Sequence, residues 1–217
     1  MNKIASLYTS SVGRKLIMGL SGFFLLSFLV VHLYINLFLL KQDRGSTFDA
    51  YAEFMATYPL IRPLEIVLFA GFLLHAIVGG WLWLTNRMAR PVRYAVNRAS
   101  ENSTLASRTA FWTGAFVFLF LVIHVNTFFI RSRFFDDGTT MYARVEDAFS
   151  SPLYVGFYLV ALVFLGYHLK HGVQSAFQTL GLHDARYAWA VTAIGVVFWL
   201  LFPIAFAVLP LYFLLAH

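Results

Sequence analysis

Five stretches of this chain carry no charged residue and are each long enough to cross a lipid bilayer: Leu16–Leu40, Ile66–Asn86, Thr109–Ile130, Ala148–Leu169 and Tyr187–His217. A spanning helix rises 1.5 Å per residue and needs about 20 apolar residues. The expected fold is therefore an all-α integral membrane protein. It forms a single domain over residues 1–217, with five transmembrane helices at about 16–40, 63–86, 109–130, 151–178 and 187–214. The composition of 60% hydrophobic and 12% charged residues agrees, since soluble domains carry about 25% charged residues. No long polar stretch is left to build a large catalytic domain. The first run has 25 uncharged residues and no small-residue cleavage site, so it reads as a retained span and not as a signal peptide.

Charge orients the spans. The side that holds the N-terminus has ten basic residues against Glu101 and Asp184, and the other side has six against eight acids. By the positive-inside rule the N-terminus is expected to be cytoplasmic and the C-terminus external. The cytoplasmic surplus of +8 suits topology and anionic lipid, and it equally suits an acidic soluble partner. A nucleic-acid partner is not expected. Ser46-Thr47-Phe48-Asp49 resembles a capping box, which predicts a short surface helix over Ser46–Thr57. Pro59, Pro63 and Pro152 stand near helix starts, where proline is tolerated.

A weak internal repeat places four histidines. Val31-His32-Leu33 in the first run resembles Ile123-His124-Val125 in the third, while His75 and His168 each follow a Pro-Leu pair, sixteen residues after the proline. The step from His32 to His75 is 43 residues, and from His124 to His168 it is 44. Counted along the helices, His32 and His124 lie about 23 Å above the cytoplasmic ends of their runs, and His75 and His168 about 15 Å above theirs. The four form two layers.

Ionisable residues inside a bilayer are costly and mark function by default. Two neutral imidazoles on opposite faces make a six-coordinate b-type haem, and facing helices of a bundle present such ligands naturally. A lone intramembrane histidine is more often a hydrogen-bonded structural residue, but four in two matched layers point to two haems. The expected arrangement is a four-helix haem-binding bundle plus a fifth helix. The aromatic content of 18% fits a porphyrin lining. Gly22, Gly71, Gly79, Gly80, Gly114 and Gly166 offer close approach to the backbone, although helix packing is the commoner use of such glycines. The absence of cysteine excludes covalent haem attachment and thiolate-held clusters in this chain. His171 follows His168 by three residues and competes with it as a ligand, whereas His183 and His217 read as structural or terminal.

The segments Ser27–Leu33, His75–Gly79, Val122–Val125 and Ser151–Tyr158, the last running on to Tyr167-His168-Leu169-Lys170-His171-Gly172, resemble those of a known family. They are similar to the five-helix, two-haem cytochrome b subunit of succinate dehydrogenases and fumarate reductases. The resemblance implies that His32 and His124 hold a distal haem b, and that His75 and His168 hold a proximal one next to an iron–sulfur subunit. It further implies a membrane anchor that passes electrons between flavoprotein and iron–sulfur subunits on the cytoplasmic face and a membrane quinone, expected as menaquinone. Arg14, Lys15 and Lys170 are the candidates for the haem propionates, and Glu53 and Glu65 for a proton source near the quinone. Some fumarate reductases of this type place a glutamate two residues before the fourth-span ligand. Gly166 stands there in this chain. Two other readings are a cytochrome b of a formate dehydrogenase or hydrogenase, and a histidine-relay transporter. The transporter would be expected to bury mid-span carboxylates, which this chain lacks.

Overall fold

The protein is described here by a computed structural model covering residues 10–89, 104–135, 137–182 and 184–216. Lys3, Arg90, Arg93, Arg98, Glu101 and Asp136, counted in the charge balance, lie outside these residues, as do His183 and His217. The described chain is helical, without strands. Five helices are long and apolar enough to cross a membrane: Val12–Leu40, Ile61–Met88, Leu105–Phe134, Pro152–Thr179 and Ala185–Ala216. The chain is a multi-pass membrane protein.

The helices outrun the uncharged stretches because basic side chains at their ends bury apolar stems while their heads reach polar surroundings. Arg87, Arg108 and Arg131 sit exposed within helices this way. The starts are fixed locally. Ser10 accepts from the Gly13 amide at 3.0 Å and Thr104 from the Ser107 amide at 3.2 Å, while Ser151 caps the fourth span directly before Pro152.

Neighbouring spans pack in a closed ring, first on second, second on third, third on fourth and fourth on first. The fifth leans on the fourth and the first. The first and third spans therefore face each other across one diagonal of the bundle, and the second and fourth across the other.

Two short helices, Ser46–Thr57 and Met141–Phe149, close the end of the bundle opposite the N-terminus, here termed the capped side. The first of them was expected, but the capping box is not what starts it. Ser46 is already helical, and the cap is Gly45 at φ 83°, a left-handed conformation suited to glycine. Asp43 performs the capping, accepting from the Gly45 amide at 3.1 Å, the Thr47 amide at 3.2 Å and the Thr47 hydroxyl. Those bonds, led by the one from the Thr47 side chain, hold the Asp43 carboxyl below its ordinary pKa. Asp49 is thereby free to accept from the Tyr142 amide at 2.8 Å and tie the two short helices together. Beneath them Leu39, Phe48, Val145, Phe149, Val155, Tyr158, Leu209 and Phe213 form the main buried cluster.

Two π turns interrupt the spans, Val125–Ile130 immediately after His124 and Val197–Leu201 in the fifth helix. The second precedes Pro203. A proline inside a helix cannot bond the carbonyl four residues back and pushes against it; that carbonyl is Trp199. It faces Gly166 so closely that a Cβ there would stand 2.8 Å from the Trp199 oxygen. Gly166 thus serves the packing of the fifth span and not a haem face.

Candidate haem centres

The four histidines meet as two pairs, each reaching across a diagonal. The rings of His32 and His124 lie 5.8 Å apart between centroids at 84°, and those of His75 and His168 lie 6.2 Å apart at 80°. Imidazole nitrogens about 2 Å from a metal on opposite sides would leave their ring centroids about 6 Å apart. Both pairs have that spacing.

The hydrogen bonds leave the same nitrogen free. His124 Nδ1 is 2.8 Å from the Tyr158 hydroxyl, His75 Nδ1 is 3.1 Å from Ser21 Oγ, and His168 Nδ1 is 3.4 Å from the Ala110 carbonyl. The Ser21 hydroxyl donates to the Met18 carbonyl at 3.1 Å, so its oxygen accepts from His75 Nδ1–H. A ring that donates from Nδ1 presents the Nε2 lone pair, which is the form a metal binds. His32 is the exception. Its Nδ1 is 3.5 Å from the Asn36 amide nitrogen, at the limit of a hydrogen bond, and that amide bonds more firmly to the His32 carbonyl at 2.8 Å.

The surroundings of the two pairs differ. Phe28 stacks on His32 at 5.2 Å, Phe206 lies 5.8 Å away, and Phe120 and Phe128 flank His124 at 5.5 and 5.2 Å. The aromatic residues thus form a cage around this pair. Glycines serve the other. A Cβ on Gly114 would come within 2.9 Å of His168 Cε1, and one on Gly22 within 3.6 Å of His75 Cε1. Gly71 instead makes room for the Phe24 ring and Gly79 for Met18, while nothing approaches Gly80 within 4 Å.

Of the three propionate candidates, Arg14 has the most fitting surroundings. Its Nε is buried without a hydrogen-bond partner, and it lines a cavity of about 260 Å³ with Ile17, Leu74, Ile77, Val78 and Trp81. Lys15 is exposed. Lys170 Nζ lies 4.5 Å over the Trp199 ring, directed at the fifth span. His171 is half-buried on the same helix and makes no ring contact with either pair among the described residues. Glu65 bonds Arg133 at 3.3 Å and Arg62 at 3.5 Å, and Arg133 also donates to the Ala56 carbonyl at 3.0 Å. Its carboxylate therefore joins the second and third spans to the first short helix, while Glu53 is exposed on that helix. Sequence reasoning missed Ser21, the Ala110 carbonyl and Tyr158, since nothing in the spacing marks Tyr158 among eleven tyrosines.

The chain is similar to a succinate dehydrogenase subunit. It is 27% identical to the succinate dehydrogenase cytochrome b558 subunit of Bacillus subtilis (strain 168), over 71% of this chain and 72% of that protein. No family profile and no solved structure matches it.

Proposed function

We propose that this protein is the membrane anchor and electron-transfer subunit of a succinate:quinone oxidoreductase, holding two bis-histidine b haems. The observation that carries this reading is the pair of diagonal histidine contacts, each at the separation a shared metal requires. The likeness to a succinate dehydrogenase cytochrome b subunit favours this complex over a formate dehydrogenase or hydrogenase. A six-coordinate haem supplies one-electron transfer and offers no open position to dioxygen.

The chain's own residues do the rest. His32 and His124 would hold the haem on the capped side, His75 and His168 the haem nearer the N-terminus. Phe28, Phe120, Phe128 and Phe206 exclude water from the first pair. Ser21 and the Ala110 carbonyl orient the second. Arg14, with its unpartnered Nε, would neutralise a carboxylate at the N-terminal side; Lys15, exposed, and Lys170, over Trp199, would have to turn toward it to take part. The N-terminal side would face the cytoplasm and receive the iron–sulfur and flavoprotein subunits, with a membrane quinone, menaquinone by expectation, as the second substrate. The protein would then belong to the cytoplasmic membrane.

A reduced-minus-oxidised visible spectrum of the purified complex, with haem measured per polypeptide, tests the reading. Two low-spin b haems per chain are expected. One haem, none, or a five-coordinate high-spin spectrum would overturn it.

A further inference from the structure

A chain of tyrosine hydroxyls runs from one histidine pair, where the other pair has a single serine hydroxyl and a main-chain carbonyl. Tyr158, 6% exposed in the fourth span, places its hydroxyl 2.8 Å from His124 Nδ1 and 3.4 Å from the Tyr154 hydroxyl. Tyr154 in turn donates to Thr127 Oγ1 at 3.0 Å, and Thr127 lies within the π turn that follows His124. The direction of the chain is determined by its far end. With the Tyr154 proton committed to Thr127, the Tyr154 oxygen is left to accept from Tyr158, and the Tyr158 oxygen to accept from His124 Nδ1–H. The Tyr158 ring is held edge-on by Phe120 at 4.8 Å and by Phe149 at 5.0 Å, so its hydroxyl cannot swing away.

We propose that Tyr158 is a positioning residue that fixes the His124 ring and sets the reduction potential of the capped-side haem independently of the other haem. This rests on the two-haem reading above. An acceptor on the far N–H of a ligating imidazole makes its metal-bound nitrogen more basic and favours the oxidised iron, which is an outer-shell control of potential. A phenol that passes its own proton along a chain accepts more strongly than one that does not. The other haem has no tyrosine in this role. His168 bonds a main-chain carbonyl and His75 a serine, neither of which contacts the Tyr158 chain.

The test is a potentiometric titration of the intact complex, followed by visible spectra and by the low-temperature resonance of the low-spin ferric haems. In Tyr158→Phe the midpoint of one haem should rise and its resonance shift, while the other haem stays where it is in the same sample. Tyr154→Phe, which breaks only the second link, should move the same haem in the same direction by less. Unchanged potentials in Tyr158→Phe, or an equal shift of both haems, would overturn the proposal. Should Tyr158→Phe lose the haem altogether, Tyr154→Phe decides, and an unmoved potential there sinks it. A wild-type complex with fewer than two haems would remove the two-haem reading and this proposal together. Two haems with unmoved potentials would remove this proposal alone.

Discussion

Gly114 stands beside the His168 ring with no room for a side chain: a Cβ built there would lie 2.9 Å from Cε1 and 3.2 Å from Nδ1. The two residues come from the third and fourth spans, whose packing brings them together. Gly114→Ala must therefore rotate or displace the imidazole. The expected outcome is loss or altered ligation of the haem proposed at His75 and His168, with the other haem retained, read by redox titration of each haem. Gly22→Ala, where the corresponding contact is 3.6 Å, should be milder.

Pairing across diagonals makes a sharper prediction for the ligands. His32→Ala and His124→Ala should each remove the same haem and leave the other titrating. His75→Ala and His168→Ala should remove the second haem and break the route from the iron–sulfur subunit. His171→Asn should leave both haems bound. Haem quantified per chain, with one titration for each variant, separates these outcomes.

Gly166 concerns stability and not ligation. Overpacking a tight contact typically costs about 1–3 kcal/mol, and a methyl group here would meet the Trp199 carbonyl, which is main chain and cannot yield as a side chain would. Gly166→Ala should lower the thermal midpoint of the complex with both haem spectra unchanged. Glutamate at this position should prevent the fifth span from docking, seen as protease sensitivity of that span.

The capped side should loosen in acid. Asp137 accepts from Arg144 at 2.8 Å, and this bond, with a second from the Thr139 amide, holds its pKa down to about 2 from 3.8. A carboxyl whose folded pKa is depressed contributes stability that is fully present above the unfolded value and is lost as pH falls through the folded one. The contribution should therefore disappear between about pH 4 and pH 2. The protection of the Met141–Phe149 amides, measured against their intrinsic exchange rates at each pH, should fall over that window in the wild type, and Asp137→Asn should diminish the pH step.

The spans and the histidine pairs were legible because hydropathy and helical rise are one-dimensional quantities, and residues at equal depth on facing helices have few alternatives to meeting. The second short helix was not. Met141–Phe149 carries Arg144, Glu146 and Asp147 and is too short and polar to stand out as a span, although its apolar residues recur at helical spacing, and its partners Asp49 and Asp137 lie in other segments. The capping box misled for a similar reason. Ser46 and Asp49 have the right spacing, yet Asp43 outside the motif reaches the free amides first. Lys170 stands at a depth suited to a haem carboxylate, but whether its side chain turns toward a haem or toward Trp199 depends on a helix that begins fifteen residues later.

Because each histidine pair joins opposite corners of the bundle, neither helical hairpin contains a whole site. Spans one and two carry His32 and His75, which belong to different pairs, and spans three and four carry His124 and His168. As the chain emerges from the ribosome, the first pair becomes complete when the third span enters the bilayer, and the second only when the fourth follows. Two prosthetic groups would therefore stitch the halves together crosswise and in a fixed order of biogenesis, and an apoprotein would have two hairpins held in register by packing and by the capped-side bonds of Arg133 and Asp49 alone.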